Sequence, residues 1–108
     1  MDTKTYISTL KKKSRESVPV AMRQALCYFL HKENIPNRII AEVTGISLRL
    51  VYMNVYRAID LLEVNDCVIR SSLDEAKSHE VIIRPCTVDG LVITRHIGYK
   101  MIIDNVIY

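Results

Sequence analysis

The stretch from Ile39 to Leu62, IIAEVTGISLRLVYMNVYRAIDLL, sets one of the chain's three glycines, Gly45, between two apolar-rich runs. In the first run, Ile40 and Val43 face one side of a short helix over about 37–43, with Ala41 as a small contact point. Thr44-Gly45 ends it. Ser47 then offers a hydroxyl to cap a longer helix, since a serine at that position accepts from an amide two or three residues on. At about 100° per residue, Val51, Val55, Ala58 and Leu62 share one side of this helix, and Arg49, Met53, Tyr56 and Asp60 the other. Two helices joined so tightly need a residue that tolerates positive φ, and glycine does so without steric cost. Ala41, four positions earlier, permits a close crossing; Val51, six positions later, anchors the second helix. The expectation is a helix-turn-helix hinged at Gly45.

The flanking segments extend this pattern. Pro19 stands where a helix can begin, with Ser17 as its cap. Val18, Met22, Ala25, Leu26, Phe29 and Leu30 then recur at helical spacing, which predicts a helix over about 19–33 that Asn34, Pro36 and Asn37 break. After Asn65-Asp66 the character changes. CVIR at 67–70 and EVIIRP at 80–85 are rich in β-branched residues, with polar SSLDEAKSH between them, and read as a hairpin with a long tip. Val88-Asp89-Gly90 reads as a turn. LVITR at 91–95 reads as a third strand, while the apolar residues of GYKMIIDNVIY at 98–108 fit neither period. The order predicts an α+β winged helix-turn-helix: three N-terminal helices, a β-hairpin wing and an apolar C-terminal segment. The expected boundaries are a basic N-terminal arm over 1–16, either mobile or a fraying first helix, the winged domain over 17–90, and a C-terminal extension over 91–108. That extension either packs on the domain or forms a homodimer contact.

Charge narrows the function. Residues 1–50 carry nine Lys/Arg against four Asp/Glu, and residues 51–108 carry six against eight. A basic first half suits a polyanion, although solubility alone also accounts for it. Cys27, Cys67 and Cys86 have no CxxC spacing, and His31, His79 and His96 do not cluster with them. No metal site or cofactor is expected, and the thiols read as reduced. No phosphate-cradling glycine motif, HExxH or GxSxG is present, so the chain does not read as an enzyme. No apolar run approaches the roughly 18 residues of a membrane span, and no secretory signal is seen, so a cytoplasmic protein is expected.

With these residues in place, the segment Ile40-Ala41-Glu42-Val43-Thr44-Gly45-Ile46-Ser47-Leu48-Arg49 is similar to the "IAEAFGINLR"-like stretch of the CaiF/GrlA family of enterobacterial transcriptional regulators. The resemblance runs from about Pro19 to about Arg84 and includes Leu26, Leu30 and Ile35. The family tends to carry a tryptophan in its first helix, and this chain has none. The resemblance implies a small sequence-specific DNA-binding regulator, generally an activator.

On this reading the third helix lies in the major groove. Its outward residues are Ser47, Arg49, Tyr52, Met53 and Tyr56. Arg49 is the candidate for base readout, because a guanidinium pairs bidentately with guanine. Tyr52 and Tyr56 either reach phosphates or bases or sit at the edge of the core, and Met53 suits a thymine methyl. Asn37 and Arg38 are placed for a phosphate. Lys11, Lys12, Lys13 and Arg15 track the DNA backbone or are a solvated tail. Lys77 and His79, at the tip of the wing, are further phosphate candidates. The other reading is an adaptor that holds a regulatory protein on its winged domain.

Overall fold

The computed structural model describes residues 1–87 and 97–108. It is an α+β domain of five helices and a three-stranded antiparallel sheet. The helices are α1 (Thr3–Lys11), α2 (Ser17–Lys32), α3 (Asn37–Thr44), α4 (Leu48–Glu63) and α5 (Cys67–Ser78). The strands are β1 (Val81–Thr87), β2 (Ile97–Ile103) and β3 (Val106–Ile107), in the order β1-β2-β3. The expected turn at Val88-Asp89-Gly90 and strand at 91–95 lie outside the described residues.

One helix takes the segment read as a mobile arm or a fraying first helix, and another stands where a strand and hairpin tip were expected. The segment read as a basic arm holds α1, whose N-terminus Asp2 caps by accepting from the Thr5 amide at 2.7 Å. Tyr6, Ile7 and Leu10 from α1 are buried in the main core. Their apolar bodies, one helical turn apart, outweigh the charge of the lysines that follow. CVIR and the polar run after it, read as a strand and hairpin tip, form α5. Asp66 caps this helix, accepting from the Ile69 amide at 2.9 Å. Ile69 and Ala76 are buried and Leu73 is half-buried, a stripe of helical period. The stripe packs mainly on α2 and joins Ala25 and Ala58 in a second apolar cluster. Packing thus overrode the β preference of Val68 and Ile69.

Where α2 was expected its span is close, Ser17–Lys32, but Ser17 is its first residue and Glu16 its cap position, without a side-chain cap bond. Pro19 is the third residue of the helix, where its missing N–H is one of the four that no helix pairs internally. Val18, expected inward, is exposed. The helix closes at Asn34, whose φ is 63°, with the Ile35 amide reaching back to the Leu30 carbonyl at 3.1 Å. Asn65, φ 61°, ends α4 in the same way through the Asp66 amide and the Leu61 carbonyl. Asparagine suits both places because its short polar side chain tolerates the left-handed region.

The wing-like pair is β1 with β2, in the register Val81↔Ile103, Ile83↔Met101 and Pro85↔Tyr99. Val81, Ile83, Tyr99, Met101 and Ile103 belong to the main core with α1, α2, α3 and α4. Pro85 is tolerated because, among the described residues, β1 is an edge strand of the sheet. Asp104-Asn105, φ 49° and 67°, makes the two-residue turn into β3. Met101 and Ile103 are as buried as any residue of the helices. The C-terminal segment is therefore part of this core, while Val106 and Ile107 face outward.

Asp104 also ties distant elements together. Its carboxylate accepts from the Thr3 hydroxyl at 2.6 Å and the Glu80 amide at 2.8 Å, and meets Nδ1 of His79. His79 has Glu75 on its other ring nitrogen at 3.2 Å and stacks on Tyr6 with centroids 4.3 Å apart. It is thus a nearly buried structural side chain, which corrects its expected place at an exposed wing tip.

Candidate nucleic-acid interface

The hinge has the geometry its sequence called for. Gly45 takes φ 76° and ψ 14°, and its amide donates to the Ala41 carbonyl at 3.0 Å, which closes α3 in a left-handed cap. Thr44 completes the end by donating its hydroxyl to the Ile40 carbonyl at 2.6 Å. Two residues on, Ser47 Oγ accepts from the Leu50 amide at 3.2 Å and starts α4. Ile40, Val43, Val51 and Val55 lock both helices into the main core. Asn54, on the inner flank of α4, donates to the buried Cys27 sulfur at 3.8 Å. Burial pushes the Cys27 thiol up to about 11, against which the Asn54 bond and then the Arg23 charge work. All three cysteines are free thiols.

The opposite face of α4 is open. Ser47, Arg49, Tyr52, Met53 and Tyr56 are all exposed, Tyr56 at 65%. The tyrosines are therefore outside the core edge, the alternative considered for them. Leu48 and Leu50 are exposed beside them, a feature that sequence reading missed. Helical period alone assigns Leu50 no side when its neighbour Val51 takes the core position.

Of the other candidates, Arg38 is exposed, while Asn37 is half-buried with its carbonyl oxygen on Nδ1 of His31 at 3.0 Å. The Asn37 side chain is therefore already engaged. Lys11 ends α1, and Lys12, Lys13 and Arg15 occupy the link between α1 and α2. This link lies against the hinge: the four cations and Thr44, Gly45 and Ile46 line one cleft. Arg23 holds the link in place, donating to the Lys12 carbonyl at 2.6 Å and the Ser14 carbonyl at 3.0 Å. Sequence offered no sign of that role, because it depends on how α1 docks. Among the described residues, no lysine or arginine side chain is in ion-pair contact with a carboxylate. Nor, among them, do three His, Cys, Asp or Glu side chains gather as a metal site would need, and no helix is long and apolar enough to cross a membrane.

The class that fold and surface define is an α+β domain with a glycine-hinged helix pair and an open second helix. No protein-family model, curated protein or solved structure matches the chain.

Proposed function

We propose that this chain is a DNA-binding transcriptional regulator of winged helix-turn-helix type, in which α4 reads the major groove and β1–β2 forms the wing. The observation that carries this reading is the outer face of α4. A rigid hinge and a buried Val51/Val55 seam present Arg49, Tyr52, Met53 and Tyr56 together, exposed and without a partner among the described residues. The cations of the α1–α2 link, beside the hinge and paired with no carboxylate among the described residues, supply attraction to a polyanion. This is also what the resemblance to the CaiF/GrlA regulators implies.

Arg49 would specify and the link would attract. The test begins with a duplex selected from a randomised pool. Arg49→Ala should cost about 1–3 kcal/mol on that duplex and little on random DNA. Replacing Lys11, Lys12 and Lys13 by alanine should weaken both and flatten the salt dependence by up to about 0.9 per lost phosphate contact. Failure to enrich any duplex, or an Arg49→Ala protein that stays folded with unchanged affinity, removes α4 as the reading head.

A second reading has an observation of its own. Leu48, Leu50, Met53 and Tyr56 expose apolar surface along α4 that suits a protein partner, as an adaptor would require. Leu50→Gln separates the two: it weakens partner capture on the adaptor reading and, adding no charge, leaves random-DNA affinity near its starting value.

A further inference from the structure

We infer that the cleft between the α1–α2 link and the hinge is a binding site for a small amphipathic organic anion, one with a single anionic head and an apolar tail. The cleft encloses about 440 Å³. Its floor is apolar, built from Leu10, Leu26, Cys27 and Ile46, with the Tyr108 ring at its edge. Its rim is cationic, with Lys11, Lys12, Lys13, Arg15 and Arg23, and among the described residues no carboxylate lines it.

Arg23 is the centre of the site. It is half-buried, and both of its hydrogen bonds go to backbone carbonyls. Those bonds fix the guanidinium, and among the described residues no carboxylate pairs with its charge. A half-buried cation in a concave, partly apolar wall interacts with an anion more strongly than a solvated lysine does. Lys11 is steered to the same mouth by the Tyr108 ring, its Nζ 4.8 Å from the centroid. An apolar floor under a cationic rim selects against simple inorganic anions, which leave the floor unused, and against apolar or cationic molecules, which leave the rim unused. The wall opposite the link is Thr44-Gly45-Ile46 itself, so an occupant touches the hinge that orients α4.

The test titrates the full chain, by NMR, with decanoate, decyl phosphate, decanol, decyltrimethylammonium and inorganic phosphate, each below its micellar range. The expected result is saturable binding of decanoate or decyl phosphate at least about tenfold tighter than of the other three. The tighter of the two identifies the head group as carboxylate or phosphate. Shifts should centre on Leu10, Leu26, Ile46 and Tyr108. Arg23→Gln should weaken binding by about tenfold or more. Because Arg23 also holds the link, a second variant, Lys13→Gln with Arg15→Gln, keeps both of its bonds and should weaken binding severalfold in a protein with an otherwise unchanged spectrum. Equal binding of all three neutral, cationic and anionic amphiphiles would show adsorption and overturn the inference. So would inorganic phosphate binding as tightly as decanoate and decyl phosphate, or shifts centred on Leu48, Leu50 and Tyr56 in place of the cleft. None of these readouts requires DNA, so the inference can fail or stand apart from the DNA-binding proposal.

Discussion

Gly45 gives the clearest quantitative test of the hinge. A Cβ at this position meets no atom of the described residues within 4 Å beyond its chain neighbours, so the cost of a substitution lies in the backbone. That backbone is held at φ 76°. An ordinary L-residue in the left-handed region costs roughly 1–2 kcal/mol. Replacing glycine by alanine also stiffens the unfolded chain, which returns about 0.4–1 kcal/mol. Gly45→Ala should therefore destabilise the domain by about 0–1.6 kcal/mol. Gly45→Val, β-branched as well, should cost about 1–3 kcal/mol. Asparagine visits this region readily, so Gly45→Asn should stay within about 0.5 kcal/mol of the parent. Urea denaturation of the four proteins measures the series, and for a domain of this size about 1 kcal/mol corresponds to roughly 4–8 °C in Tm. The expected order is Gly, Asn, Ala, Val. An unchanged midpoint for Gly45→Val, or Asn as damaging as Val, would show that the left-handed cap does not hold the hinge.

Two further outcomes concern the other end of the core. Tyr6 is fully buried, and its hydroxyl has no partner among the described residues. Tyr6→Phe should thus leave stability unchanged or raise it by up to about 1 kcal/mol, whereas Tyr6→Ala should cost about 3–5 kcal/mol, both read by denaturation. Asp104 is held down at about 2, below its ordinary 3.8, chiefly by its bond to His79, then by Thr3 and the Glu80 amide. A carboxylate depressed in the folded state stabilises above its unfolded value, and that contribution is lost as pH falls through the folded one. Stability should therefore decline between pH 3.8 and about 2, and Asp104→Asn should flatten that limb in a pH series of urea midpoints.

The helix pair was legible because each of its instructions is local. Gly45 at the end of α3, Ser47 at the start of α4 and the 3.6-residue spacing of Val51, Val55 and Ala58 act through neighbours in the chain, and the hinge follows from them. The outward positions of Arg49, Met53 and Tyr56 are the remainder of the same helical arithmetic. By contrast, α5 was obscured by the β-branched Val68 and Ile69, although Asp66 and the Ile69/Leu73/Ala76 spacing carried a local helix signal as well. Its docking on α2 decided the conflict, since burying a side chain such as Ile69 yields about 1.5–3 kcal/mol, more than any difference in propensity. The basic link and the C-terminal segment had no local answer. Whether Lys11, Lys12 and Lys13 belong to a free arm depends on Tyr6 and Leu10 finding a core to enter. Whether Met101 and Ile103 fold inward depends on a pairing with Val81 and Ile83, about twenty residues away in sequence. The cleft that gathers the link, Arg23, Gly45 and Tyr108 comes from four separate parts of the chain. Residues that far apart meet only after the core has formed, so the amino-acid order by itself determined the hinge and its open face, and tertiary packing alone decided what stands beside them.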